Sequence, residues 1–513
     1  MINFTSAKRK RELNHKFPLN PKTCYLEEQV LLRRQKICQS CFMNKINAKI
    51  IPFISFSLLF FFFSCKKENF YTGSEPILNF STDTVQFDTV FTTIGSATQS
   101  FIVYNSLNKP VKINSIRLAK GTNSFFRLNI NGISTRELKD EELAANDSLF
   151  IFVEVKVDPT NSNNPMVVQD SIEFHINQSM QNVKLVAYGQ DVHLINAEVI
   201  HQNTTWIADK PYLVYNSMLV DSNVTLQISS GVTVYFHHQS RMYIMGTMLA
   251  NGSHDEPILF RGDRLEHWYD DVPGQWDGIY FVMGSKDNTM NYCEVKNAII
   301  GIQVDTLASL AQPTLTISNS KILNMNAVGI FAQGSTIKAW NCIVAQCGQF
   351  ALALAIGGSY EFYHCTIYNT WAYNNRQTPS IWLNNYYKDI NGNYQIRPLD
   401  KATFANCIIY GNKDNEILLD NYSTTSPFQY IFQHCLLKIS NDIPTTDAQH
   451  WMNIYKNNDP LLVNPYYDKF QLDSTSFCIN KGDLNIGAQF PWDFDGYSRL
   501  SDNQPDLGAY EWH

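Results

Sequence analysis

The chain has 513 residues, 44% hydrophobic and 13% aromatic, with 17% charged residues and abundant Asn, Ser and Thr, a size for two or three domains and a profile of an extracellular β-protein rather than a helical cytosolic enzyme. The net charge of −7 is uneven: residues 1–65 hold eleven Lys/Arg and three Glu, about +8, which leaves about −15 on the rest. So acidic a body argues against nucleic acid as a partner, because phosphates need a basic face, and leaves polysaccharides open.

The predicted elements begin with an address. Lys45 and Lys49 precede an apolar run from Ile50 to Phe63, then Ser64-Cys65 and the polar Lys66-Lys67-Glu68. The run has the length of a secretory h-region and is short for a membrane-spanning helix. Ser64-Cys65 resembles the lipobox of bacterial lipoproteins, although Phe62 and Phe63 are bulkier than that pattern usually has. The resemblance implies that residues 43–65 are a lipoprotein signal peptide, that Cys65 is the lipidated residue, and that the protein meets the bilayer through its acyl chains. It also implies an outer-membrane cell-envelope location, with Lys66-Lys67-Glu68 compatible with surface exposure. Lys8-Arg9-Lys10-Arg11 and Arg33-Arg34 lie upstream of Met43. Translation is expected to start at Met43, leaving 1–42 unmade or disordered. Residues 66–76 read as a tether.

Between 77 and 192 short alternating strands recur at sandwich-like intervals: Phe101–Tyr104, Val111–Ile113, Leu149–Val155, Ser171–Phe174 and Val183–Val186. The sequences Val103-Tyr104-Asn105, Val153 to Pro159 and Ala187-Tyr188-Gly189 resemble immunoglobulin-like ASH and hydin-type domains, which are mostly spacers or binding modules.

From 200 onward a repeat takes over. Cys293, Cys342, Cys365, Cys407 and Cys435 each follow Tyr, Asn or His and precede a β-prone stretch, with Ser320 filling one gap. The spacings are 27, 22, 23, 42 and 28 residues, a solenoid period. No CxxC or HxxxH spacing accompanies them, so zinc is not expected. These cysteines, with Cys347 and Cys478, read as free thiols, the repeated ones forming a stacked internal ladder. A second strand follows in each coil, as in Ala298–Ile302, Ala327–Phe331, Phe350–Leu354, Ser380–Leu383 and Glu416–Leu419.

The motifs Thr225 to Val232, Met245-Gly246-Thr247-Met248 with Pro257-Ile258-Leu259-Phe260, and Trp276-Asp277-Gly278-Ile279-Tyr280-Phe281 resemble the opening coils of the pectin-lyase-like superfamily. Asp459 to Pro465, Cys478 to Gly482, Asp493 to Arg499 and Asp506 to Glu511 resemble its closing coil and tail. The resemblance covers about residues 200–513 and implies an all-β chain: an Ig-like sandwich followed by a right-handed parallel β-helix solenoid.

The insertion between Cys365 and Cys407 is rich in aromatics. Flat rings stack on the apolar faces of sugars, and long loops in compact repeats are often functional. Trp371, Tyr373, Arg376, Tyr386 and Tyr387 are the expected carbohydrate contacts; Trp382 falls in a recurring strand and is expected to pack. Asp305, Asp389 and Asp420 flank strands and read as turn residues more readily than as a catalytic set. No catalytic residue is assigned. Asp493, Asp495 and Asp506 lack the spacing of an EF-hand, so Ca²⁺ is without support and a closing turn with Arg499 as ion partner is the expectation. His237-His238 and His267 to Asp271 read as polar surface loops rather than metal ligands. No cofactor is expected.

The expected function is a non-catalytic surface module that binds glycans or an envelope protein. A polysaccharide lyase or glycoside hydrolase is the first alternative, carried by fold analogy. A purely structural or adhesive protein is the second.

Overall fold

The computed structural model describes residues 69–513, apart from 93, 97, 160–165, 307–310 and 423–424. The expectations for residues 1–65, including the signal segment and Cys65, lie outside the described residues.

Strands from Leu78 to Gln190 form two five-stranded sheets. One has the order Leu78–Phe80, Gln99–Asn105, Ser148–Val155, Phe126–Ile130, Ile133–Thr135; the other runs Thr84–Phe91, Ser179–Gln190, Met166–Ile176, Val111–Leu118, Glu137–Leu143. Strict alternation in Ser148–Val155 sends Leu149, Ile151, Val153 and Val155 inward. They meet Phe87, Phe101, Ile116 and Phe174 from the other strands in one buried core. The result is an immunoglobulin-like sandwich. Phe91, at the end of its strand, packs on Tyr235 of the next domain with ring centroids 5.0 Å apart.

From His193 a single 26-stranded sheet winds to Lys456. Through most of the solenoid each strand pairs in parallel with the third one after it, as Thr225–Ile228 does with Thr247–Asn251 and that strand with Asn288–Asn291. The coil is therefore three-sided. The cysteine repeat shows two of the sides; the third runs through Thr225–Ile228, Asn288–Asn291, Leu315–Ser318 and Ile431–Gln433.

The corner before each cysteine explains the repeat. Tyr292, Asn319, Asn341, His364, Asn406 and His434 all have φ between 46° and 52°, a left-handed conformation that Asn tolerates well. Asn341 Nδ2 donates to Asn319 Oδ1 at 2.9 Å, and Asn319 Nδ2 to Asn291 Oδ1 at 2.9 Å, so the corner side chains bond from coil to coil. The next residue then faces a closed interior. The thiols of Cys342, Cys365, Cys407 and Cys435 each contact the carbonyl two residues back at 3.2–3.3 Å. Ser320 Oγ makes the same bond to Ser318 at 2.6 Å, which is why Ser substitutes there. All seven cysteines from Cys293 to Cys478 are free and buried.

The motif Trp276-Asp277-Gly278 is structural as well. Trp276 is fully buried, stacked on Phe236 at 4.0 Å, with its Nε1 donating to the Lys296 carbonyl at 2.9 Å. Gly278 has φ +132°, and a Cβ there would lie 1.8 Å from the Ile300 carbonyl oxygen, so only glycine fits. Further on, Phe362, Phe404, Phe432 and Trp451 stack in register at 4.9–5.1 Å inside the coil.

Residues 459–513 do not add a coil. Leu462–Asn464 and Lys469–Leu472 form their own hairpin, and the segment lies along the cysteine face. There Phe470, Tyr510 and Ala509 cover Leu323, Ile343 and Ala345, while Leu472, Cys478 and Leu507 cover Ile408 and Leu436. Strands covered on both sides are apolar on both sides; this accounts for the unbroken Cys407-Ile408-Ile409 and Cys435-Leu436-Leu437. Arg499, fully buried, pins the segment by pairing with Glu511 and donating to Asn341 Oδ1 at 3.0 Å and the Ala509 carbonyl at 3.0 Å.

Candidate functional site: a cleft on the second-strand face

The strands Arg241–Ile244, Gly278–Phe281, Ile300–Val304, Val328–Trp340, Leu352–Tyr363 and Ile381–Asn384 stack as a face that carries an open cleft of about 1040 Å³. Parallel register aligns their outward side chains. Tyr243 pairs with Tyr280, Tyr280 with Gln303, Gln303 with Phe331, Phe331 with Ala353, and Ala353 with Trp382. This column is the cleft floor. Tyr243, Tyr280, Phe331 and Trp382 are partly exposed, and Phe350 stacks on Trp382 with centroids 5.5 Å apart.

The insertion adds one wall. Tyr386–Lys388 and Tyr394–Ile396 pair as an antiparallel hairpin, which brings Tyr387 and Arg397 to the cleft rim. The Arg397 guanidinium lies 5.6 Å from the centre of the Tyr387 ring. At the other end Arg241 Nε donates to Asp277 Oδ2 at 2.6 Å and Nη1 to the Tyr243 hydroxyl at 3.0 Å. Its guanidinium sits 5.2 Å from the Tyr280 ring centre.

Asp305 and Asp400 are the acids lining the cleft, and Asp305 is held by two side-chain amides. Gln303 Nε2 donates to one carboxylate oxygen at 2.6 Å and Gln333 Nε2 to the other at 2.7 Å. The group is exposed to solvent yet enclosed by the cleft walls. That crowding raises its pKa above the ordinary value, against the two amides that pull it down. Crowding likewise pushes the Tyr280 phenol up to about 12.

The sequence-selected residues divide. Tyr387 lines the cleft. Tyr386 stands beside it, its hydroxyl donating to Asp420 Oδ1 at 3.0 Å; Asp420 also accepts from Asn384 and Trp382, so it braces the hairpin rather than shaping a turn. Asp389 is a turn residue, accepting from the Asn391 and Asn393 amides at 2.9 and 3.0 Å. Trp382 packs on Phe350, as expected, and its partly exposed ring also lines the cleft, because Ile381 and Leu383 take the inward positions. Trp371 and Arg376 correct the expectation of sugar contact. Trp371 is 4% exposed, and the Arg376 side chain is wholly enclosed in an ion pair with Glu416; neither offers a surface to a sugar. Tyr373 is exposed but lies apart from the cleft, its hydroxyl donating to the Asp271 carbonyl. Tyr243, Tyr280, Phe331 and Arg241 are not among the expected contacts; the outward position of each recurring strand is the signal that marks them.

Asp493 and Asp506 are spent on structure. Asp493 accepts from the Tyr497 and Glu511 amides, and Asp506 from Asn480 and Trp512. His237 pairs with Asp263, and His267 with Asp270. Among the described residues no group of three or more His, Cys, Asp or Glu side chains is placed to hold a metal ion, and no helix is long and apolar enough to cross a membrane.

Residues 308–438 match the family model described as "Right handed beta helix region". The solenoid is a right-handed parallel β-helix. No curated protein matches the chain significantly. Among solved structures, the ASH/PapD-like domain 7 of human CEP192 is similar over 25% of this chain and 96% of its own, at 9% identity and a TM-score of 0.17. A family 123 glycoside hydrolase from Clostridium perfringens is similar over 23% of this chain and 26% of its own, at 8% identity and a TM-score of 0.16. Similarities that distant say nothing of what this β-helix binds.

Proposed function

We propose that the protein is a lipid-anchored cell-envelope protein whose β-helix binds a glycan in the cleft on the second-strand face. The observation that carries this is the column of outward, partly exposed aromatic rings from Tyr243 to Trp382, with Gln303 among them and Gln333, Asp305 and Arg397 beside them. Rings of this kind cover the C–H faces of sugars, and the polar edges bond hydroxyls. The sandwich serves as the spacer between the lipid and the binding face.

The test is a glycan-binding screen scored also for released reducing or unsaturated ends. Binding without release is expected, weakened by Trp382→Ala at least about tenfold, as for a central aromatic anchor. Unchanged binding in that variant refutes the cleft as the site.

A second reading, cleavage in the same cleft, has one observation in its favour. The Asp305 carboxyl has a raised pKa among polar groups in a cleft, which suits proton transfer. Release of ends that disappears in Asp305→Asn would establish it.

A further inference from the structure

We infer that the cleft is built for an uncharged, linear glycan segment several rings long, laid across successive coils between Trp382 and Tyr243. This rests on the glycan-binding reading above and narrows it to a substrate class.

Charge is the first argument. The cations at the cleft are already engaged. Arg241 is bonded to Asp277 and Tyr243 and lies over Tyr280; Arg397 lies over Tyr387 and bonds the Ile396 carbonyl at 2.9 Å. Asp305 and Asp400 line the same cleft. Two guanidiniums against Asp277, Asp305 and Asp400 leave no positive surplus for a repeating uronate or sulfate, and such a chain would have to pass the Asp305 carboxylate. Like charges at that range in a partly desolvated cleft repel. A neutral sugar meets no such obstacle: Asp305, with each oxygen holding one amide, keeps acceptor capacity for sugar hydroxyls.

Length is the second argument. The column from Tyr243 to Trp382 crosses six stacked strands, which at about 4.8 Å per step spans roughly 24 Å. Its aromatic positions are spread along the whole floor, with Gln303 and Ala353 between them. A terminal monosaccharide would need one pocket. A floor with platforms at both ends suits an internal stretch of a chain.

Calorimetric titration of the full-length protein in detergent tests this, with neutral gluco-, manno- and xylo-oligosaccharides from di- to hexasaccharide beside oligouronates and sulfated oligosaccharides. A neutral series is expected to bind best, its affinity rising about tenfold or more from the disaccharide to the hexasaccharide. That affinity should change less than about twofold between about 20 and about 500 mM NaCl, since no ion pair is formed. Trp382→Ala and Tyr243→Ala should each weaken the hexasaccharide. A charged series binding tightest, a steep loss with salt, or affinity that is flat beyond the disaccharide overturns the inference while leaving glycan binding in place. Silence across every glycan overturns the proposed function and this inference with it.

Discussion

Replacing Arg376 by Ala separates a structural role from a binding role within the insertion. Arg376 and Glu416 have no exposed side-chain surface and meet at 2.6 Å. The guanidinium also donates to the Asn369 carbonyl at 2.9 Å and Asn412 Oδ1 at 2.8 Å, while Glu416 accepts from the Ser380 amide and hydroxyl and the Lys413 amide. Removing the arginine strands a carboxylate in the interior, which costs about 3–5 kcal/mol. With a urea m-value of about 3 kcal/mol/M, the unfolding midpoint should fall by about 1 M or somewhat more. The assay is urea denaturation followed by far-UV circular dichroism. Arg376→Met/Glu416→Leu removes both charges and should recover much of the loss, because apolar replacements of a buried pair are often tolerated. Glycan affinity measured in native buffer should stay within about twofold of the parent, as expected of a group outside the cleft. A midpoint shift under about 0.2 M, the size of an ordinary surface change, or a double variant less stable than the single one, would refute the reasoning.

The seven thiols from Cys293 to Cys478 should resist a thiol reagent in the native state and all react in denaturant. Burial pushes the thiols of Cys347 and Cys478 up to about 12, so native labelling should stay slow at pH 9. The sign for stability follows: the unfolded chain loses its thiol protons first, so this contribution is whole below about pH 8.5 and is lost as pH rises toward 12. Arg499→Ala should release the closing segment, seen as early proteolysis between residues 480 and 513 at protease levels that leave the parent intact; simultaneous cleavage throughout the coils would argue against a pinning role. Cys65→Ser should move the protein from the membrane fraction to the soluble fraction, and an unchanged partition would remove the lipid anchor from the proposal.

The sequence by itself determined the β-helix, because a coil that cannot bury its own interior must repeat a local pattern. The Cys or Ser after a left-handed Asn, His or Tyr is that pattern written as residues: a tight corner followed by a closed space. It also determined the alternating sandwich strands and the closing role of Arg499. Which residues of the insertion reach the cleft was decided only in three dimensions. Trp371 and Trp382 are equally aromatic in sequence, yet one is enclosed and the other lines the cleft. Arg376 reads as a surface cation until Glu416, forty residues away, encloses its charge. The cleft floor was hidden for the same reason: Tyr243, Tyr280, Phe331 and Trp382 stand far apart along the chain, and only the parallel register of successive coils, set by backbone pairing, lines them up on one face.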